Sequence, residues 1–502
     1  MSDFTELVDL ASERVGGAVL AANDEFFAPK ENLIKPGQPI FIEDKYTDRG
    51  KWMDGWETRR RREPGYDWVV LKLGLPGVVR GVVVDTAFFK GNYPARCSIE
   101  ACAADANTSP ETLLGPSAEW TEILPQGDLK GDTQNPFAIE CPHRFTHIRL
   151  NIFPDGGVAR LRVYGEVMPD GKVLAAAAEV DLAAVENGGR VLAASDMFFS
   201  SRHNLILPGP ARNMGDGWET KRRRGPGHDW VVIQLGTEGV VQRIEVDTSH
   251  FKGNFPESCS LEGCKAGDAS PDSLSMATWK ELLPRTKLQA DTRHVFEKEL
   301  RSADPLSHVR FNIFPDGGVA RLRLFGRVTS EGRLQASLQR LNALAEPEAA
   351  AALQACCGSR NWTQKVLAQR PFPSLERLRE MADRVWAGME RDDCLEAFRA
   401  HPRIGEKGSG KQAGVARQWS EQEQAGTRGA GAKMLSELEE AGRAYEARFG
   451  YIFIVCATGK TTEEMLALLR QRLQNDPDRE LRIAAEEQRR IMQLRLEKLL
   501  QL

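Results

Sequence analysis

One segment of this chain occurs twice. Residues 54–74 read DGWETRRRREPGYDWVVLKLG and residues 216–236 read DGWETKRRRGPGHDWVVIQLG, matching at 16 of 21 positions with an offset of 162. The match continues from VDTAFFKGNYP at Val84 to VDTSHFKGNFP at Val246, and from HIRLNIFPDGGVARLRVYG (147–165) to HVRFNIFPDGGVARLRLFG (308–326). Upstream, DEFF at Asp24 answers DMFF at Asp196 with an offset of 172, so the first copy carries ten extra residues between Leu33 and Asp54. Solenoid units run to about 20–45 residues. A period this long means two duplicated domains.

Each copy reads as all-β. WVVLKLG, GVVVDTAF, CSIEAC and HIRLNIF are short runs rich in β-branched residues, bounded by turn clusters such as PDGG and KGNYP. Strands at this spacing predict a sandwich or jelly roll. After about Ser330 the pattern changes. LQASLQRLNALAE, SLERLREMADRVWAGM, TEEMLALLRQRLQ and RELRIAAEEQRRIMQLRLEKLL carry apolar residues at helical spacing. The expected architecture is a multidomain chain: two jelly-roll-like β domains over 1–168 and 169–328, a linker over 329–337, and an all-α domain over 338–502.

Composition narrows the function classes. A net charge of −4 does not suit a dedicated nucleic-acid binder. No run of about 18 apolar residues marks a membrane span, and the N-terminus MSDFTELVDLASERVGG shows no secretory pattern. Nine scattered cysteines, an odd number, do not form a disulfide framework and point to a reducing, cytoplasmic home. The expected partners are small-molecule substrates and further copies of the chain in a homo-oligomer, with neither nucleic acid nor membrane.

The repeated polar motifs supply the candidates for chemistry. DGWET contributes Asp54 and Glu57, with Asp216 and Glu219 in the second copy; FKGN contributes Lys90 and Asn92, with Lys252 and Asn254. The basic runs 59–62 and 221–224 read either as solvated loops or as an anion clamp. PDGG reads as a turn, with its Asp and glycines explained by turn geometry. One ionisable difference separates the copies at this motif: Phe88 answers His250, and a histidine exchanges protons near neutral pH. His250 is therefore a catalytic candidate, against the plainer reading of a structural histidine. His143 and His147 lead into a strand, where four residues span roughly 13 Å, so their spacing does not make a zinc site. A divalent metal held by carboxylates stays open.

The repeated DGWET(R/K)RRR, VDT..FKGN and NIFPDGGVARLR motifs resemble the allantoicase family over about residues 12–328. The resemblance implies two jelly rolls that hydrolyse allantoate to ureidoglycolate and urea. Allantoate is a small carboxylate with two ureido groups, which suits cationic donors together with Asp, Glu or Asn acceptors. A rival reading makes the β domains ligand-binding modules without catalysis.

In the last third, FRAHPRIGE places His401 where a helix must end, because Pro402 disfavours helix at the residue before it. Ser420 and Glu423 in WSEQEQAG have capping-box spacing, and a helix N-terminus also offers unpaired amides to an anion. Arg495 lies within the apolar arc of IMQLRLEKLL, between Ile491 and Leu499, where a charge needs a carboxylate partner or a stem that packs while its head reaches water. AHPRIGE, S..EQ, ARFGYIFIV and LRL together resemble the family of decarboxylases of 2-oxo-4-hydroxy-4-carboxy-5-ureidoimidazoline (OHCU) over about 338–502. The resemblance implies cofactor-free decarboxylation with His401 and Glu423 as catalytic residues. It implies substrate contacts from Pro402, Ser420, Gln424 and Arg495, and from Phe453, Ile454 and Val455 as a strand-like backbone segment. Together the two resemblances imply a bifunctional enzyme of urate breakdown.

Overall fold

The structure is a computed structural model and describes residues 4–169, 177–266, 270–301, 304–403, 419 and 432–501. The chain divides into two compact units, Met1–Ala336 and Ser337–Leu502.

The first unit holds both β repeats. In the first repeat the elements that position the site are β1 (Trp56–Glu57), β2 (Asp67–Asp85), β3 (Arg96–Cys102), β4 (Arg144–Phe153), β5 (Gly157–Val158) and β6 (Arg160–Val167). Strand β2 is 19 residues long, and its two parts pair with different neighbours in one eight-stranded sheet. Its first part pairs antiparallel with β4 and with Ala18–Ala22; its second part pairs with β6 and with Gln134–Ala138. The sequence reading treats WVVLKLG and GVVVDTAF as separate strands. They are one strand, because Gly74-Leu75-Pro76-Gly77 carries the chain on without reversing it. The register with β4 skips there, from Lys72 opposite His147 to Gly77 opposite Phe145.

The second repeat copies this arrangement with β7 (Trp218–Glu219), β8 (Asp229–Asp247), β9 (Ser258–Cys264), β10 (Leu306–Phe314), β11 (Gly318–Val319) and β12 (Arg321–Val328). Its long strand skips register at the same place, from Gln234 to Gly239. A single apolar cluster runs through both repeats, with Trp56 and Trp218 fully buried in it. Burying such indoles contributes a large share of each core.

Three motifs meet at one end of each repeat. In the first, β1 pairs with β5, Glu57 opposite Gly157. The Gly157 amide donates to the Asn92 carbonyl at 2.8 Å. A β-carbon on Gly157 would lie 2.0 Å from the Phe89 ring, so only glycine lets the PDGG turn settle on the FKGN loop. In the second repeat the Gly318 amide donates to the Asn254 carbonyl at 2.8 Å, above the Phe251 ring.

Residues 329–337, expected as a linker, are mostly helical: Ser330–Ala343 form one helix, and the boundary between the units falls inside it. The second unit is built from α1 (Glu346–Cys357), α2 (Arg360–Leu367), α3 (Leu375–Ala387), α4 (Arg391–Arg399), α5 (Ala432–Phe449), α6 (Thr462–Arg472) and α7 (Pro477–Gln501). Ser359 and Ser374 cap α2 and α3, and Thr461 with Glu464 form a capping box on α6. Helix α7 packs against α1, α3 and α4. The segment from Phe453 to Val455, expected as strand-like, is buried but belongs to no sheet.

Gly157→Ala should destabilise the β repeats by about 1–3 kcal/mol through overpacking. Gly91 has nothing within 4 Å of a built β-carbon, so Gly91→Ala should stay within about 0.5 kcal/mol of the parent chain. Equilibrium denaturation of the two variants measures the difference; equal midpoints would contradict the steric account.

Candidate active sites

The convergence of motifs pairs two predicted residues in each repeat. Asn92 Nδ2 donates to Glu57 Oε1 at 2.7 Å. Asn254 makes the same bond to Glu219. The main chain of each glutamate is tied by an isolated bridge to a residue earlier in its repeat, Ala28 or Ser200, the Glu57 amide donating to the Ala28 carbonyl at 3.2 Å. Burial raises the Glu57 carboxyl above the usual carboxylate range, and the bond from Asn92 offsets part of that. A carboxyl raised toward neutrality and held by an amide is equipped to take and return a proton.

Lys90 and Lys252 rise from the same loops as the asparagines. Both side chains are largely exposed, at 3.8 Å from Asp132 and 4.0 Å from Asp291. Exposed pairs of this kind hold little energy, so both cations are able to swing to a ligand.

Asp54 and Asp216 are engaged elsewhere. Asp54 is buried and ion-paired with Arg160 at 2.6 Å, accepts the Ile40 amide at 3.0 Å and lies 3.7 Å from Lys35. Burial alone would raise this carboxyl, but these partners hold it below its ordinary value. Asp216 is ion-paired with Arg14, which reaches over from the first repeat, and with Arg212. Arg321, the counterpart of Arg160, donates instead to the Asp216 carbonyl at 2.6 Å. The sequence reading takes both aspartates as substrate ligands; their carboxylates brace arginines. The basic runs are likewise used internally, with Arg59 on Asp24 and Arg61 on Asp67. The Arg61 amide donates to Asp155 of PDGG at 2.9 Å.

His250 has a left-handed backbone, φ 72°, and so does Phe88, φ 68°. Its Nε2 lies 2.9 Å from the Ala211 carbonyl. A carbonyl accepts and does not donate, so that partner assigns the proton to Nε2. In the first repeat the Phe88 ring instead stacks on Phe41 of the longer loop that leads to Asp54, 5.5 Å between centroids. The swap of phenylalanine for histidine follows a swap of the loop being anchored. The structure does not join His250 to the Glu219–Asn254 pair by a hydrogen bond.

In the helical unit His401 follows the last turn of α4, its amide donating to the Phe398 carbonyl at 3.1 Å, with Pro402 next in the chain. Gly358, φ 89°, ends α1 so closely against α4 that a β-carbon there would lie 2.5 Å from Ala400 Cβ. Helix α7 runs past the same turn. Arg495 is 2% exposed and donates to the Ala355 carbonyl at 3.4 Å. Gln488, two turns earlier on α7, donates to the Cys357 carbonyl at 3.0 Å. The neighbouring Glu487 accepts the Cys456 amide at 2.7 Å. The ends of α1 and α4 thus abut beside His401, and α7 links the α1 turn through Arg495 to the 453–456 segment through Glu487. Ser420, Glu423 and Gln424 lie outside the described residues. A cavity of about 420 Å³ opens beside Arg403 and Phe453, but neither His401 nor Arg495 lines it.

Sequence reasoning missed Arg14, Gln488 and Glu487. Arg14 had a visible signal, since the second copy carries Glu186 in its place. Glu487 and Gln488 had none, because they look like any helix-surface pair. Among the described residues no group of three or more His, Cys, Asp or Glu side chains is placed to hold a metal ion, and no helix is long and apolar enough to cross a membrane.

The allantoicase repeat model matches residues 8–168 and 180–329, and the OHCU decarboxylase model matches residues 342–497. The allantoicase of Dictyostelium discoideum is 49% identical over 322 residues, which is 64% of this chain and 87% of that protein. A crystal structure of the allantoicase of Saccharomyces cerevisiae matches with a TM-score of 0.55 and 41% identity, over 64% of this chain and 92% of that one. A crystal structure of an OHCU decarboxylase is 36% identical over 29% of this chain and 95% of that one, with a TM-score of 0.26.

The Asn92 amide favours the ionised form of Glu57, so removing it should raise the Glu57 pKa further. In a Glu219→Gln background, which isolates the first repeat, Asn92→Ala should move the acid limb of the urea-release profile to higher pH. A limb that stays in place or moves to lower pH would show that Glu57 does not set it.

Proposed function

The chain belongs to the allantoicase family and carries an OHCU decarboxylase domain behind its two repeats, and from that premise we propose how its residues divide two reactions of urate catabolism. It is a bifunctional enzyme that hydrolyses allantoate to ureidoglycolate and urea and decarboxylates OHCU to allantoin. The two steps are not consecutive, because allantoin must be opened before allantoate exists. Channelling is therefore not required by the fusion. All nine cysteines are free and eight are buried, which supports a reducing cytoplasmic home. The chain is expected to work there as a homo-oligomer.

Allantoate hydrolysis replaces one ureido group by a hydroxyl from water. Glu57 and Glu219 take the proton from that water and return one to the departing urea nitrogen. Asn92 and Asn254 hold these carboxylates in orientation. Lys90 and Lys252 reach the substrate carboxylate as mobile point charges. The observation that supports this reading is the recurrence of the Glu–Asn pair where three repeated motifs meet. His250, tied to Ala211, anchors its loop.

Decarboxylation leaves a carbanion that the ureidoimidazoline ring delocalises, and no cofactor is needed for it. His401 relays the proton, either from the substrate hydroxyl or to the new C–H bond. Arg495 binds the substrate carboxylate or ring oxygens; Ser420, Glu423 and Gln424 complete the contacts, with Glu423 orienting the ureido group.

The two half-reactions should separate by mutation in the full chain. His401→Asn should cut decarboxylation by roughly 10²–10⁴-fold and leave urea release unchanged. The double variant Glu57→Gln, Glu219→Gln should do the reverse. A loss below about tenfold in the targeted reaction, with the fold intact, would remove the residue from its role. His250→Phe should keep urea release within about threefold of the parent; a collapse without unfolding would restore it as the proton-transfer group.

A further inference from the structure

The segment from Phe453 to Cys456 is buried, yet among the described residues no strand pairs with it. Buried backbone groups need partners, and here side chains supply them. Arg472 Nη1 of α6 donates to the Ile454 carbonyl at 2.8 Å. Glu487 of α7 accepts the Cys456 amide at 2.7 Å. Lys460 Nζ donates to the Cys456 carbonyl at 2.7 Å. The main-chain groups of Ile454 and Cys456 are thus engaged by side chains, and those of Phe453 and Val455 make no such bond among the described residues.

The arginine among these side chains is itself held by a buried network. Arg472 is 6% exposed, and Glu480 and Tyr445 are fully buried. Arg472 Nε donates to Glu480 Oε1 at 2.7 Å, Asn475 Nδ2 donates to Glu480 Oε2 at 2.6 Å, and the Tyr445 hydroxyl donates to Glu480 Oε1 as well. The guanidinium also lies over the Phe453 ring, 4.7 Å from its centroid. A fully buried ion pair is a weak device for stability and a strong one for fixing geometry when every oxygen is bonded. Here it fixes one backbone carbonyl.

We infer that Arg472, Glu480 and Glu487 are positioning residues of the decarboxylase, standing in for a neighbouring strand by holding the main chain at Ile454 and Cys456 so that the remaining main-chain groups of the segment meet the substrate. A ureido group and a lactam ring carry amide-like N–H and C=O groups, which match main-chain groups. The inference rests on the decarboxylase reading of this unit. None of the three residues takes part in proton transfer, so their effect belongs in binding.

The test uses the full chain and reads decarboxylation and urea release together. Glu487 sits on the flank of a helix, so its variants should fold. Glu487→Ala should raise the KM for OHCU about tenfold with kcat nearly unchanged, whereas Glu487→Gln, which keeps an acceptor oxygen, should stay within about twofold of the parent. Arg472→Lys should raise KM in the same way, and urea release should not change in any variant. A Glu487→Ala chain with parental KM, or a Glu487→Gln chain as impaired as Glu487→Ala, would overturn the inference while the decarboxylase reading stands. A parent chain that does not decarboxylate OHCU at all would overturn both.

Discussion

In each β repeat a glycine amide sits on the carbonyl of an asparagine at 2.8 Å, with a phenylalanine ring packed beneath it. That contact tolerates no side chain, and it is what brings the PDGG turn onto the FKGN loop. The paired strands β1 and β5, and β7 and β11, then carry the glutamate of DGWET to the same place. Remove the contact and Glu57 loses Asn92, although neither residue has changed. The Glu–Asn pair is thus a consequence of backbone packing at the end of a jelly roll. It exists twice because the packing was duplicated.

Duplication has not kept the copies alike around that shared centre. Asp54 pairs with Arg160 inside its own repeat, whereas Asp216 is held by Arg14 from the other repeat. The partner on Arg321 is correspondingly different, and burial together with nearby arginines lowers its pKa to about 10. Phe41 of the longer loop reaches Phe88 in one copy, and Ala211 reaches His250 in the other. The second repeat therefore borrows a cation from the first, and the first borrows none through this pair. In the helical unit the same physics takes another form. Ordered backbone is needed without a sheet, and a buried Arg–Glu pair provides the order.

Much of this was legible in the sequence, for stated reasons. The repeat, the β-branched runs and the helical spacing after Ser330 follow from side-chain pattern, and pattern reports which layer a residue joins. It does not report whether a Gly-Leu-Pro-Gly stretch reverses the chain or only bends it, so one long strand read as two. The Glu–Asn partners were visible as polar residues in repeated motifs, but not as a pair, because they lie 35 residues apart. Asp54 looked like a ligand because its arginine is 106 residues away. The residues that pin the 453–456 segment were invisible, since a charged residue on a helix reads as solvated until its neighbours are known. The stretch FIV, Phe453 to Val455, looked like a strand because apolar pattern cannot say whether a partner strand exists.

The most direct test of the central claim is a crystal structure of the chain with allantoate, or a non-hydrolysable analogue of it, bound to the β unit. The account predicts the ligand at the Glu57–Asn92 pair, the Glu219–Asn254 pair or both, with a ureido group within hydrogen-bond distance of the glutamate and its carboxylate met by Lys90 or Lys252. A ligand seated elsewhere in the unit, with both Glu–Asn pairs untouched, would contradict it.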